Sequence, residues 1–155
     1  MNDALKQALL AHFDSVFSGP NGDYAAVLEA LEGLTATQVA WKPTPGSNSI
    51  WMIVDHLTVS KEWQIEMLEK GQADVPMWNQ PAGGESAWQA SLARLTAAHA
   101  RLMAALGQIP EEALLTIPVP EWNKTLLELL LSSAAHEAHH SGQIDYLKGL
   151  LTKTS

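Results

Sequence analysis

The run Leu129-Leu130-Leu131-Ser132-Ser133-Ala134-Ala135-His136-Glu137-Ala138-His139-His140-Ser141-Gly142-Gln143-Ile144 puts three of the chain's six histidines within five positions of a strongly apolar segment. Its Leu- and Ala-rich turns are apolar nearly all round, which predicts a buried helix. Buried imidazoles need partners.

At 100° per residue, with His136 as zero, His140 lies at about +40° and Gln143 at about −20°, alongside Ser132, Leu129 and Leu147. One face therefore carries two imidazoles, an amide and a hydroxyl. Side chains four apart on a helix have Cβ atoms roughly 5–6 Å apart, and a metal takes His nitrogen at about 2.0–2.1 Å, so His136 and His140 can share one ion. The bland reading of H-x-x-x-H is two polar residues on a solvated face; the apolar neighbours argue against it. His139, at about −60°, flanks the pair.

At 155 residues, 46% of them hydrophobic and 17% charged, the chain is expected to form a single domain, residues 1–155, with a sizeable core. Helical patterning dominates, with no alternating run that reads as a strand and no internal repeat. Apolar runs such as Leu126 to Leu131, interrupted by Glu128, are far shorter than the roughly 20 residues of a membrane crossing. With no basic-then-apolar leader at the N-terminus, a cytoplasmic location is the default expectation. The absence of cysteine excludes disulfides, thiolate metal sites and a cysteine nucleophile. A net charge of −8 without a Lys/Arg cluster argues against nucleic-acid binding, which depends on phosphate neutralisation.

Outward from the histidine segment, the chain reads as successive helices. Leu5, Leu9, Phe13 and Val16 give Asp3 to Phe17 an amphipathic stripe, bordered by a partly buried His12, before Gly19-Pro20-Asn21-Gly22-Asp23 breaks it. A second helix is predicted from about Tyr24 to Leu34, burying Tyr24, Val27, Leu28 and Leu31; Thr35 then caps a short turn ending near Trp41. The loop Lys42 to Asn48 holds two prolines and a glycine, and Ser47 or Ser49 can cap a helix from about Ile50 to Lys70. Gly71 to Gly84, with Pro76 and Pro81, is long enough for a crossover rather than a tight return. Trp88, Leu92, Leu95, His99, Leu102 and Leu106 define a bundle seam. Gly107 to Asn123, with Pro110, Pro118 and Pro120, connects to a capping box at Thr125-Leu126-Leu127-Glu128, which opens the histidine helix and carries it to about Leu151. The fold class is all-α: a four-helix bundle with a short extra N-terminal helix.

His56 shares a helix face with Met52, Ser60, Trp63 and Met67. A lone histidine on an apolar helix is more often a hydrogen-bonded core residue than a ligand, unless a metal already sits on histidines nearby. His99, in the seam, is a candidate fourth ligand, set against the common use of single polar seam residues for specificity. Three histidines with open coordination positions are the pattern of a catalytic metal; structural zinc sites are closed and usually include cysteine.

In order and spacing, Trp41-Lys42-Pro43, Ser49-Ile50-Trp51, Asp55-His56-Leu57 and His136-Glu137-Ala138-His139-His140-Ser141-Gly142-Gln143-Ile144 resemble the DinB-like superfamily, particularly its YfiT-like metal-dependent hydrolases. Phe17-Ser18-Gly19 also resembles the family's opening. The resemblance implies a four-helix bundle holding a divalent metal on His56, His136 and His140. No ligand role carries over to His139, where the family is not uniform. Ser141 departs from the arginine found in part of the family. Many members are dimers, so a homodimer is an expectation from relatives.

His136-Glu137-x-x-His140 is also literally the H-E-x-x-H signature of zinc metalloproteases. Those enzymes have a further Glu or His ligand downstream, whereas after His140 only Asp145 is acidic, which disfavours the protease reading. Glu137, about 100° from His136, is a candidate for proton exchange at the site, or else a supporting or solvated charge. Gln143 is a candidate for orienting the bound ligand, and Asp55 for exchanging protons. These make Glu137 and Gln143 the candidate catalytic residues beside the metal ligands His56, His136 and His140. Trp41, Trp78 and Trp122 are candidates for walling an apolar pocket, against the alternative of plain helix packing.

The favoured function is Lewis-acid catalysis on a small-molecule substrate, either as a hydrolase or as a transferase activating a small-molecule thiol. The alternative is a non-catalytic metal-binding or interaction module. Zn, Ni, Fe, Mn and Cu remain open as the ion, because selectivity depends on geometry and availability. Neither nucleic acid nor membrane is expected as a partner.

Overall fold

A computed structural model describes residues 3–20, 22–74, 77–116 and 123–154, Thr154 by its backbone alone. Asn21, Pro76, Pro118, Pro120 and Trp122, invoked above, lie outside the described residues. Among the described residues six α-helices follow in order: α1 (Ala4–Ser18), α2 (Val27–Leu31), α3 (Ala36–Ala40), α4 (Ile50–Lys70), α5 (Glu85–Gln108) and α6 (Leu126–Thr154), with a 3-10 turn at Glu111–Leu115 before the last. Among the described residues there is no strand, and no helix is long and apolar enough to cross a membrane. The all-α bundle expected from the hydrophobic spacing is the fold.

Local chemistry sets the ends of these helices. The Ser49 hydroxyl accepts the Met52 N–H at 3.2 Å and opens α4, while Gly71, at φ 71°, closes it by donating to the Met67 carbonyl. Thr35 with Gln38, and Thr125 with Glu128, form reciprocal capping boxes. The second helix is shorter than its hydrophobic pattern suggests. The Glu29 carboxylate accepts the Ala26 N–H at 2.8 Å, which starts α2 three residues after Tyr24 and leaves Tyr24 39% exposed. His12 is exposed rather than partly buried, and α6 runs on past Leu151 to Thr154.

The order of contacts gives the topology. Trp51 meets Trp88 and Ser91, Glu62 meets Arg94, and Lys61 meets His99, so α4 and α5 run in the same sense. Residue numbers on α6 fall as those on α4 rise, from the His56–His136 contact to Gln64–Ser133; those two helices are antiparallel. Lys6 against Ile109 and Asp14 against His99 make α1 antiparallel to α5. Gly71 to Gly84 is therefore a crossover, as its length suggested.

Two apolar clusters fill the bundle. One holds Phe17, Trp51, Leu57, Trp88, Leu95 and Ile144; the other holds Phe13, Ile65, Leu102, Leu106, Leu126 and Leu130. Along α4, α5 and α6 the polar residues Lys61, His99 and Glu137 fall between the two clusters, all at most 5% exposed. Lys61, His99 and Glu137 thus form one polar layer across the core, close to the turns of α4 and α6 that carry His56 and His136.

Candidate metal centre

Helix α4 supplies His56, and two successive turns of α6 supply His136 and His140. Their ring nitrogens converge: His136 Nε2 lies 2.9 Å from His56 Nε2 and 3.0 Å from His140 Nε2. The rings stand nearly perpendicular to one another, at 77°, 72° and 89°. The three ligand atoms lie within 4.8 Å of one another; His140 is buried, and His56 and His136 are partly buried. Among the described residues this is the group of three or more His, Cys, Asp or Glu side chains with the spacing to hold an ion.

Proton accounting shows that the three imidazoles suit a cation. Gln143 Oε1 lies 2.7 Å from His140 Nδ1, and Gln143 Nε2 lies 2.9 Å from His139 Nε2. Assigned from this network, His140 donates through Nδ1–H and keeps a lone pair on Nε2. His136 Nε2 must then serve two close contacts with at most one proton. If it is protonated, its N–H cannot point squarely at both neighbours. If it is not, two lone pairs face each other at 3.0 Å. One cation among the three rings would satisfy all three lone pairs, and the two contacts through His136 are short enough to be spanned by bonds of about 2.0–2.1 Å.

Electrostatics favour the same state. His56 and His136 are held down to about 4, mainly by burial and then by the neighbouring imidazoles. Burial lowers His140 as well, opposed by its bond to Gln143. Neutral imidazole is the form that binds metal.

The crossover and α5 shape the surroundings of His56. Trp78 lies over the His56 ring with centroids 4.1 Å apart. Asp55 Oδ2 accepts the N–H of Asn79 at 3.0 Å, and its other oxygen is 3.6 Å from Arg94. Asp55 thus tethers the segment that carries Trp78. Trp41 instead packs against the apolar cluster around Trp51. The tryptophan that joins Trp78 near the site is Trp63, which lines a cleft of about 280 Å³ between α4 and α6 that ends at His136. A second recess, of about 230 Å³, holds Ser47, Asn48, Gln143 and Tyr146.

His99 belongs to a different cluster and is not a fourth member of the triad. Its Nδ1 accepts from Lys61 Nζ at 3.1 Å, its Nε2 donates to Asp14 at 3.1 Å, and Phe17 stacks on it at 3.9 Å. Lys61 also donates to Glu137, and its ammonium sits 4.7 Å from the Phe17 ring centroid. Burial pushes Lys61 down and Glu137 up, while their attraction holds both charged forms together. Glu137, 2% exposed and paired with an ammonium, is neither a solvated charge nor open to the cleft. Of the two residues considered for catalysis, Gln143 is the one that touches a histidine of the triad. Lys61 escaped the sequence reading, although its place between Leu57 and Ile65 on the buried stripe of α4 marks it.

No curated protein and no solved structure gave a match to the chain. The family model of the DinB superfamily matches residues 22–144, a span that includes all three converging histidines. The chain belongs to the DinB superfamily.

Proposed function

We propose that the protein is a divalent-metal-dependent enzyme in which His56, His136 and His140 hold the ion and leave part of its coordination sphere to a small-molecule substrate. The observation that carries this reading is the convergence of three neutral Nε2 atoms to 2.9–3.0 Å contacts that protons alone cannot satisfy. When bound, such a cation supplies Lewis acidity, polarising a substrate oxygen or acidifying a water or thiol.

The chain's own residues do the rest. Gln143 fixes the tautomer of His140 and so the direction of its lone pair. Trp78, tethered through Asp55 and Asn79, shields one face of His56 from water. Hydrolysis needs one organic substrate, whereas transfer to or from a small-molecule thiol needs two. The separate recesses at His136 and beside Gln143 favour the transferase.

The test is metal content followed by turnover. Protein purified without chelator and incubated with Zn, Ni, Mn or Fe(II) is expected to retain one ion per chain, and His140→Ala to retain none. Thiol-dependent turnover of an electrophile by the loaded protein then separates the transferase from a hydrolase and from a non-catalytic metal module. Wild type that stays metal-free with all four ions refutes the proposal.

A further inference from the structure

The cleft between α4 and α6 has a composition and direction that specify part of a ligand. Its walls include Trp63, Met67, Leu126, Leu129 and Leu130, and among the described residues it is lined by no Asp, Glu, Lys or Arg, in a chain of net charge −8. Two of its polar side chains satisfy each other: the Ser133 hydroxyl donates to Gln64 Oε1 at 2.9 Å, latching α6 to α4. What remains for a ligand is mainly hydrocarbon and thioether surface.

Direction follows from the helices. From His56, the α4 positions Ser60, Trp63 and Met67 step away by four, three and four residues. From His136, the antiparallel α6 positions Ser132, Leu129 and Leu126 step the same way through space. Both rows span ten or eleven residues, so the cleft extends about 15 Å from the triad. A volume of about 280 Å³ accommodates roughly eight to ten non-hydrogen atoms, taking about 30 Å³ for each water-sized group. One end is closed by the imidazole of His136.

We infer that this cleft binds the uncharged hydrocarbon tail of a small amphiphile, with the molecule's oxygen- or sulfur-bearing head directed at the three histidines. The inference rests on the metal reading for the position of the head alone; the tail site is defined by α4 and α6 without any ion.

Two homologous series separate these parts by calorimetric titration: 1-alkanols from butanol to dodecanol, and alkyl hydroxamates of matching length. On chelator-stripped protein, alkanol affinity is expected to rise about fourfold per methylene and to level off near eight to ten carbons, where the cleft is full. Leu129→Trp, which fills the cleft, is expected to weaken octanol at least tenfold with metal stoichiometry unchanged. Met67→Glu, which sets a charge against the tail, is expected to do the same and serves if Leu129→Trp does not fold. On metal-loaded protein, octanohydroxamate is expected to bind more tightly than octanol, and His140→Ala to abolish that advantage. A chain-length series with no slope on wild type overturns the tail site. So does equal octanol affinity in wild type and both folded variants, or a dimer covering the cleft that Leu129→Trp dissociates. If the alkanol slope is present but hydroxamates gain nothing from metal, the tail site stands and the metal reading fails.

Discussion

His56 and His136 are eighty residues apart in the chain, yet their Nε2 atoms lie 2.9 Å apart, drawn together by the antiparallel packing of α4 on α6. Removing either ring removes a third of the donor set but little of the core, because both apolar clusters lie outside the triad. His56→Ala and His136→Ala are therefore expected to keep wild-type helicity by circular dichroism and to lose bound metal. At an ion concentration a hundredfold above Kd, wild type should gain about 2.7 kcal/mol of stability, a gain absent from both variants. Equal thermal shifts on adding metal to wild type and variants would place the ion elsewhere.

Gln143 acts on the centre through His140. Gln143→Leu frees the Nδ1–H of His140 and is expected to weaken metal binding about 10–100-fold, the usual cost of losing a partner that orients a ligand. Gln143→Glu keeps an acceptor at the same place and should recover most of the affinity. Competition with a coloured chelator reads both; an unchanged Gln143→Leu would dismiss the tautomer argument.

The Lys61–Glu137 pair makes opposite predictions for single and double replacement. Glu137→Leu leaves an ammonium buried without its counter-ion and is expected to cost about 3–5 kcal/mol in urea denaturation. Lys61→Met with Glu137→Leu replaces both charges with hydrocarbon and should recover most of that loss. A residue of about 1 kcal/mol should persist from the stranded Nδ1 of His99. Additive single and double effects would show that the two charges do not depend on each other.

Acid should destabilise the metal-free protein through its buried imidazoles. In the unfolded chain His56, His99 and His136 take up protons near pH 6.5; in the folded chain, burial above all withholds them until about pH 4. Between those values the unfolded chain binds more protons, so stability is complete above the window and falls as pH drops through it. Thermal melts from pH 7.5 to 4.5 are expected to show that fall, with a shallower slope in His136→Gln. Melting temperatures independent of pH over this range, or a slope unchanged in the variant, would contradict the burial of these imidazoles.

What the sequence made legible was local. The i, i+4 spacing of His136 and His140, the caps at Ser49, Thr35 and Thr125, and the seam from Trp88 to Leu106 all operate within a few turns, and all appear as expected. The residues misread depend on distant partners. Lys61 looks like an ordinary helix lysine until Glu137, 76 positions later, and His99, 38 positions later, surround it. The 100° offset of Glu137 from His136 leaves proton exchange, a supporting role and a solvated charge all open; it is Lys61, on another helix, that places its carboxylate in the core. The seam position of His99 fits either a ligand or a polar specificity residue, and only Lys61 and Asp14, on two other helices, decide between them.

The shared direction of α4 and α5 makes the intervening segment a bridge with an obligatory reach. Helix α4 is about 30 Å long, and the fourteen residues Gly71 to Gly84 stretch to at most about 50 Å, so only a modest trim leaves the chain able to return to the far end. Cutting it to a hairpin-sized turn would force α5 to reverse. Arg94 would be carried away from Glu62, His99 from Lys61, and Trp78 would lose its seat over His56. Genetic shortening of this bridge should thus be far less tolerated than lengthening it.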